Sequence, residues 1–236
     1  MRTRHITQLL AIFVLIFLVL SCENTPPVAP DYRVYRFVVE VKSQNEVFDE
    51  NIYLVYDNNS KDGIVIDPGN IHPELESLIH ENNIKVRAVL NTHGHPDHIG
   101  ANTFYRKKYG IKVHGHVLDK VFYNQYDPVN APTKYLRKEK PLSFGSIRVG
   151  VLHTSGHSPG SLCFLIGGYL LTGDTLFNDT IGKTWPDESR SADENRVLLI
   201  NNINSKLLSL PDTTLVLPGH GEQTTIGQEI LTNPFL

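Results

Sequence analysis

The stretch NTHGHPDHIG, residues 91–100, sets three histidines and an aspartate directly behind the apolar run VRAVL, residues 86–90. Alternate side chains of an extended segment leave on the same side, so His93 and His95 project together. Asp97 and His98 open the stretch of helical spacing that follows and point in other directions. A catalytic zinc takes about three protein ligands and keeps one position open. Four such groups on one turn therefore read as two half-sites, and the rest of the chain must supply the ligands that complete them.

Three further stretches qualify. HTSGHSPGS (153–161) puts His157 in a tight Gly/Ser/Pro turn after a strand, LLTGDTLF (170–177) ends a buried strand in Asp174, and LVLPGHGE (215–222) ends another in His220. Each group lies just past a β-strand, where a rigid scaffold presents loop residues along one edge. An acid released from an apolar strand is costly unless it pairs or binds a cation.

THGHPDHIG resembles the THxHxDHxG signature of the metallo-β-lactamase superfamily, and His157, Asp174 and His220 follow in that family's order. The resemblance implies an α/β fold, the αββα sandwich of the metallo-β-lactamase type. It also implies that His93, His95 and His157 hold one metal, that Asp97, His98 and His220 hold a second, and that Asp174 bridges them. Asp97 is then also a catalytic residue. Asp67 in IDPG resembles the family's acid that orients a liganding histidine; an ordinary Asp-Pro-Gly turn is the alternative. His114 and His116 form another HxH pair, but without a carboxylate or third histidine at ligand spacing, so a structural place at a strand end near the site is expected. His153 is expected in the core or behind the ligands, and His72 and His80 on the surface.

The segments around these motifs alternate in type. YRVYRFVVEV (32–41), NIYLVYD (51–57), GIVIDPG (63–69) and VRAVLNT (86–92) are strand-like, as are IRVGVLHT (147–154), SLCFLIG (161–167) and GYLLTGD (168–174). Helical spacing appears over 73–84 with Pro73 at its start, over 97–110 between Asp97 and Gly110, and over 192–210. Strand clusters interleaved with helices in both halves suggest two sheets inside and helices outside. Residues 124–145 have weak periodicity and read as a loop or short helix near the mouth of the site.

The chain has 236 residues, 40% of them hydrophobic and 20% charged, which suits a single globular domain over 32–236. Residues 1–21 read differently. A basic start and twelve apolar residues, Leu9 to Leu20, lead into VLSC. That run fits a signal-peptide core and is short of the roughly twenty residues of a membrane span. The ending resembles a bacterial lipobox, with Cys22 as the lipidated residue; an uncleaved signal anchor is the alternative. Either way the domain is expected to be exported and tethered to the cell envelope, with the proline-containing 22–31 as an extended tether. Removing 1–21 takes Arg2 and Arg4 and no acids, leaving 20 basic against 25 acidic side chains with no basic patch that suggests nucleic acid. With Cys22 acylated, Cys163 is the remaining thiol, and its apolar setting fits the core.

Two divalent ions about 3.5–4 Å apart hold a water between them and lower its pKa toward neutrality, so a dinuclear site implies hydrolysis of a small-molecule substrate. Zinc leads as the cofactor, with iron or manganese equally suited to histidine and carboxylate ligands. The bridging Asp174 resembles the glyoxalase II, lactonase, RNase Z and persulfide dioxygenase branches rather than the best-known zinc β-lactamases, which carry cysteine there. Neither a basic RNA-gripping arm nor any positive sign of sulfide oxidation is present. TSGHSPGSLCF, GDTLFNDTIGKTW and VLPGHGEQTTIGQEILTNPFL resemble glyoxalase II and its short bacterial relatives. By that resemblance, Lys183 falls where the family contacts the glycine carboxylate of glutathione, and Trp185 where full-length enzymes carry a substrate-contacting tyrosine. The sequence stops 16 residues after His220, so the resemblance is to a short form without the helical glutathione-binding domain. A thioester or ester hydrolase is expected, hydroxyacylglutathione hydrolase-like; a lactonase or β-lactamase-like hydrolase is the alternative. From another class, the alternative is a lipoprotein that binds metal or ligand without turnover.

Overall fold

A computed structural model describes residues 29–43 and 46–236. The expected leader at 1–21, Cys22 and all but the last three residues of the 22–31 tether lie outside the described residues. The first half opens with β1 (Tyr32–Ser43), β2 (Glu46–Asp57) and β3 (Asp62–Ile66), successive antiparallel neighbours. Helix α1 (Pro73–Glu81) returns the chain to β4 (Lys85–Leu90), parallel to β3. After α2 (Pro96–Ile99) and α3 (Asn102–Tyr109) comes β5 (Lys112–His116), and after α4 (Lys120–Tyr126) comes β6 (Lys134–Leu136), both added in parallel. The six strands form one sheet in sequence order.

The second sheet runs β7 (Leu142–Phe144), β8 (Ile147–His153), β9 (Leu162–Ile166) and β10 (Tyr169–Gly173), again antiparallel neighbours. A small hairpin of β11 (Leu176–Phe177) and β12 (Thr180–Ile181) leads to helix α5 (Ala192–Asn202). The chain re-enters the sheet as β13 (Leu215–Pro218), parallel to β10, and ends with β14 (Thr224–Thr225) and α6 (Ile226–Thr232).

Side-chain alternation explains the layering. Tyr53, Val55, Ile64, Ile66, Ala88 and Leu90 of the first sheet meet Val149, Val151, Leu162, Phe164, Leu171 and Leu217 of the second in a central core. The alternate phase of the first sheet, including Ile52, Leu54, Val65 and Val89, packs under α1 and α3 through Leu75, Ile79 and Tyr105. The alternate phase of the second, with Cys163, Leu170 and Val216, packs under α5 and α6 through Leu199 and Ile226. The result is the αββα sandwich that the strand and helix pattern suggests. No helix among the described residues is long and apolar enough to cross a membrane.

Three local expectations are corrected. The helical stretch 97–110 is broken into α2 and α3, because the Ala101 N–H leaves the helical ladder and donates to Pro68 O at 2.8 Å. Gly100 permits that docking: a Cβ there would stand 2.3 Å from Gly69 O. The expected helix over 192–210 is regular only to Asn202 and then widens into a π-turn over Ile203–Leu207, where Leu208 N donates to Ile203 O. Leu199, Ile203 and Leu207 recur every four residues, and the wider turn keeps all three facing the core. Residues 124–145 hold the expected loops and short helix, in the end of α4 and a 3-10 turn over Pro128–Asn130, but also carry β6 and β7, each three residues long and at a sheet edge, too short to show a period of two.

Candidate metal centre

The candidate site is assembled from loops at the C-terminal ends of β3, β4, β10 and β13, the loop between β8 and β9, and the first half of β2. His93 and His95 follow β4, His157 lies in the β8–β9 loop, and their ring nitrogens converge. His93 Nε2 is 3.0 Å from His95 Nδ1, and His157 Nε2 is 3.2 Å and 3.0 Å from those two atoms. Three imidazoles this close do not all satisfy one another as donors, and their lone pairs suit a shared cation. The outward nitrogens are committed elsewhere. His157 Nδ1 stands 2.8 Å from Lys183 O, and His93 Nδ1 stands 3.1 Å from Thr92 Oγ1, which in turn donates to Asp67 Oδ2 at 2.6 Å. This pattern directs Nε2 of both rings inward.

Beside this cage lies a second group, Glu50, Asp97, His98 and His220, whose nitrogen and oxygen atoms also converge. His98 Nδ1 stands 3.2 Å from Asp67 Oδ2, and His220 Nδ1 donates to Asp49 O at 2.6 Å. His220 Nε2 then faces Asp97 Oδ2 at 3.4 Å and Glu50 Oε2 at 3.4 Å. Asp174 stands between the two groups: Oδ1 is 3.3 Å from His98 Nε2, while Oδ2 is 3.5 Å from His157 Nε2 and 3.6 Å from His220 Nε2. Gly219 makes this approach possible, since a Cβ there would fall 2.5 Å from Asp174 Oδ1 and 2.7 Å from His98 Cε1.

The two groups differ electrostatically. Burial, with the neighbouring imidazoles, holds His93 well below its ordinary value and His95 down to about 3; burial also lowers His157. Burial opposes charge on His98 and His220 as well, but carboxylates overcome it. Glu50, Asp174 and Asp97 hold His98 well above its usual range, and Asp174, Asp97 and Glu50 push His220 up to about 11. Asp174 and Asp97 stay ionised below the usual carboxylate range, because the histidines, His98 first, outweigh burial. Burial first, with Asp67 after it, drives Glu50 the other way, well above its usual range, against the pull of His98 and His220. Buried atoms without hydrogen-bond partners (His98 Nε2, both oxygens of Glu50, and Asp174 Oδ1) make a donor set that fits cations.

The seven positions expected as ligands are thus brought together, and Asp67 lies against one of them. Asp67 adopts a left-handed backbone (φ 49°) and accepts from Thr92 N at 2.7 Å, which ties the end of β3 to the histidine turn. Trp185, 43% exposed, has its ring 5.5 Å from His95 and 5.3 Å from His157, and Lys183 Nζ stands 5.4 Å above that ring. Phe122, 5.5 Å from His95, adds to this aromatic rim. His114, His116 and His153 stay out of the converging set. His116 lies against His153, and His153 Nε2 meets Pro159 O at 2.8 Å. His80 is exposed as expected, but His72 is half-buried against Phe37 rather than at the surface. Cys163 is buried in the core, its thiol pushed up to about 11 by burial.

Three contributors have no motif. Glu50 shares the alternation phase of the buried Ile52, Leu54 and Tyr56, and an acid on that phase is the sequence signal that would have found it. Asn51 donates to Pro218 O at 3.0 Å and Gly221 O at 2.9 Å, clamping the His220 loop onto β2. Asp119 is fully buried and accepts from Gly94 N at 3.0 Å, Ser158 Oγ at 2.8 Å and Gly160 N at 2.6 Å, joining the His93–His95 loop to the His157 loop.

Comparison with known proteins decides the family. The profile of the metallo-beta-lactamase superfamily matches residues 45–220. The chain belongs to the metallo-beta-lactamase superfamily. Its relatives within that superfamily include hydroxyacylglutathione hydrolase GloC of Haemophilus influenzae, 33% identical over 204 residues that cover 80% of this chain and 93% of that protein. Among solved structures it is similar to the BLEG-1 B3 metallo-beta-lactamase (32% identity, TM-score 0.69, 85% of this chain and 99% of the other). It is equally similar to TTHA1623 in a di-iron-bound form (32% identity, TM-score 0.68, 85% of this chain and 100% of the other). The superfamily, its fold and its relatives make this chain a metallo-hydrolase with a candidate multi-residue metal site.

Proposed function

We propose that the protein is a dinuclear metal-dependent hydrolase of thioesters, close in chemistry to hydroxyacylglutathione hydrolases. The observation that carries this reading is the convergence of His93, His95 and His157 on one side of Asp174 and of Asp97, His98 and His220 on the other. The first three would hold one divalent ion, zinc foremost and iron or manganese alternatively, and the second three another, with Asp174 shared. When bound, such a pair lowers the pKa of water and polarises the scissile carbonyl.

The chain's own residues do the rest. Asp67 and the carbonyls of Asp49 and Lys183 orient the histidines by taking or facing their outward nitrogens. Asp97, held ionised, receives the proton of the attacking water at its carboxylate. As the water oxygen bonds to the acyl carbon and the C–S bond breaks, that proton passes to the departing sulfur. Trp185 and Phe122 shield the acyl group, and the exposed Lys183 offers its ammonium to a substrate carboxylate. The likeness to GloC supports a glutathione thioester; the likeness to BLEG-1 favours, as a second reading, a β-lactam.

The test is turnover of S-D-lactoylglutathione and simple thioesters by metal-loaded protein, beside an acyl-homoserine lactone and a chromogenic cephalosporin. Thioester turnover with a raised KM in Lys183→Ala is expected. Absence of thioester turnover would sink the substrate assignment. We also propose export through residues 1–21 with lipid on Cys22; a Cys22→Ala variant should lose incorporation of labelled palmitate.

A further inference from the structure

Glu50 lies outside the ligand motifs, yet its side chain is fully buried among them. Its Oε1 stands 3.0 Å from His98 Nδ1, but that N–H is directed at Asp67 Oδ2, and neither oxygen of Glu50 has a hydrogen-bond partner. A buried carboxyl in that condition either holds a proton or is costly to ionise unless a cation joins it. Its Oε2 points where Asp97 also points: each stands 3.4 Å from His220 Nε2. Two donors that share one ion at about 2.1 Å and a tetrahedral angle lie about 3.4 Å apart. The backbone of β2 fixes this placement, since Asn51 N donates to Gly219 O at 2.7 Å and draws the start of the strand against the His220 loop.

We propose that Glu50 is a direct ligand of the cation site made by Asp97, His98 and His220, and that it turns that site toward harder divalent ions. The inference rests on the two-cation reading given above. With Glu50 included, the second site offers carboxylates from Glu50, Asp97 and Asp174 beside two imidazoles, whereas the first offers three imidazoles and Asp174. Carboxylate oxygens suit manganese, and imidazoles suit zinc. The manganese-to-zinc preference of the second site therefore exceeds that of the first.

The experiment gives the purified metal-free protein one equivalent of zinc, then titrates manganese by the EPR signal of the free ion, with zinc titrated in parallel. Wild-type protein takes up one further manganese per chain. Glu50→Gln weakens that uptake at least about tenfold and weakens second-site zinc less, a loss in the range of disturbed metal shells. Glu50→Asp, which keeps the charge on a shorter arm, recovers part of the manganese binding. A cobalt ligand-field spectrum of the three-histidine site, unchanged in both variants, reports that the cage is intact. If Glu50→Gln disturbs that spectrum, Glu50→Asp alone decides, and an unaltered manganese-to-zinc ratio in it overturns the proposal. Equal losses of both ions, or none, in Glu50→Gln overturn it too and leave the hydrolase reading standing. A wild type that binds both ions selectively but cleaves no thioester overturns the substrate reading and leaves Glu50 in place.

Discussion

The two halves of the candidate site sit on either side of one aspartate and solve the same problem by opposite means. His93, His95 and His157 are buried together with little negative charge, so burial keeps them neutral and ready to donate lone pairs. His98 and His220 are set among Glu50, Asp97 and Asp174, which charge them in spite of burial. The nitrogen half is thus prepared for a cation by desolvation. The carboxylate half is prepared by an excess of negative charge, which protons occupy until a metal displaces them. Asp174 faces both halves, and in the proposed reading it makes them interdependent.

The largest expected effect follows from removing that link. Asp174→Ala should strip metal from both halves and lower kcat/KM for the thioester by about 10³-fold or more, some 4 kcal/mol in the barrier. Metal analysis and steady-state kinetics check it, and loss confined to one half would show that the halves are independent. Next comes Asp119→Ala, which leaves two backbone N–H groups and the Ser158 hydroxyl without their acceptor. About 3 kcal/mol of stability should be lost on unfolding in urea. Ion binding should fail in the nitrogen half before the carboxylate half.

The smallest effect is in proton release. The folded-state value of His220, about 11, is above its ordinary 6.5. In metal-free protein its stabilising contribution is fully present below about 6.5 and lost as pH rises through about 11. At pH 7 this histidine carries a proton that an incoming ion must expel. His95, near 3, carries none. Calorimetry in buffers of different ionisation enthalpy should show proton release with one ion and almost none with the other, and tighter uptake of the former as pH rises. Equal release from both would erase the contrast.

How much of this was legible beforehand depended on how local each feature is. His93, His95, Asp97 and His98 lie within six positions, and His157, Asp174 and His220 each follow a strand beside a glycine, so their chemistry shows in short windows. The sandwich was legible for a similar reason: residues 52–56 of β2, 64–66 of β3, 88–90 of β4 and most of β9 are apolar on both phases, as strands covered on both faces must be. Glu50, Asn51 and Asp119 act through distant loops. Asn51 reaches a residue 167 positions away, and no local pattern encodes that register. The edge strands β6 and β7 escaped notice for want of length, and the break after α2 because Pro68, from another loop, captures the Ala101 amide.

The proposed chemistry needs two adjacent cation sites with Asp174 between them. Anomalous diffraction from crystals grown with zinc and manganese, collected at both absorption edges, tests this directly. Two peaks per chain are expected, one among His93, His95 and His157 and the other among Glu50, Asp97, His98 and His220, with manganese concentrated in the second. A single peak, or peaks lying outside these side chains, would contradict the proposal.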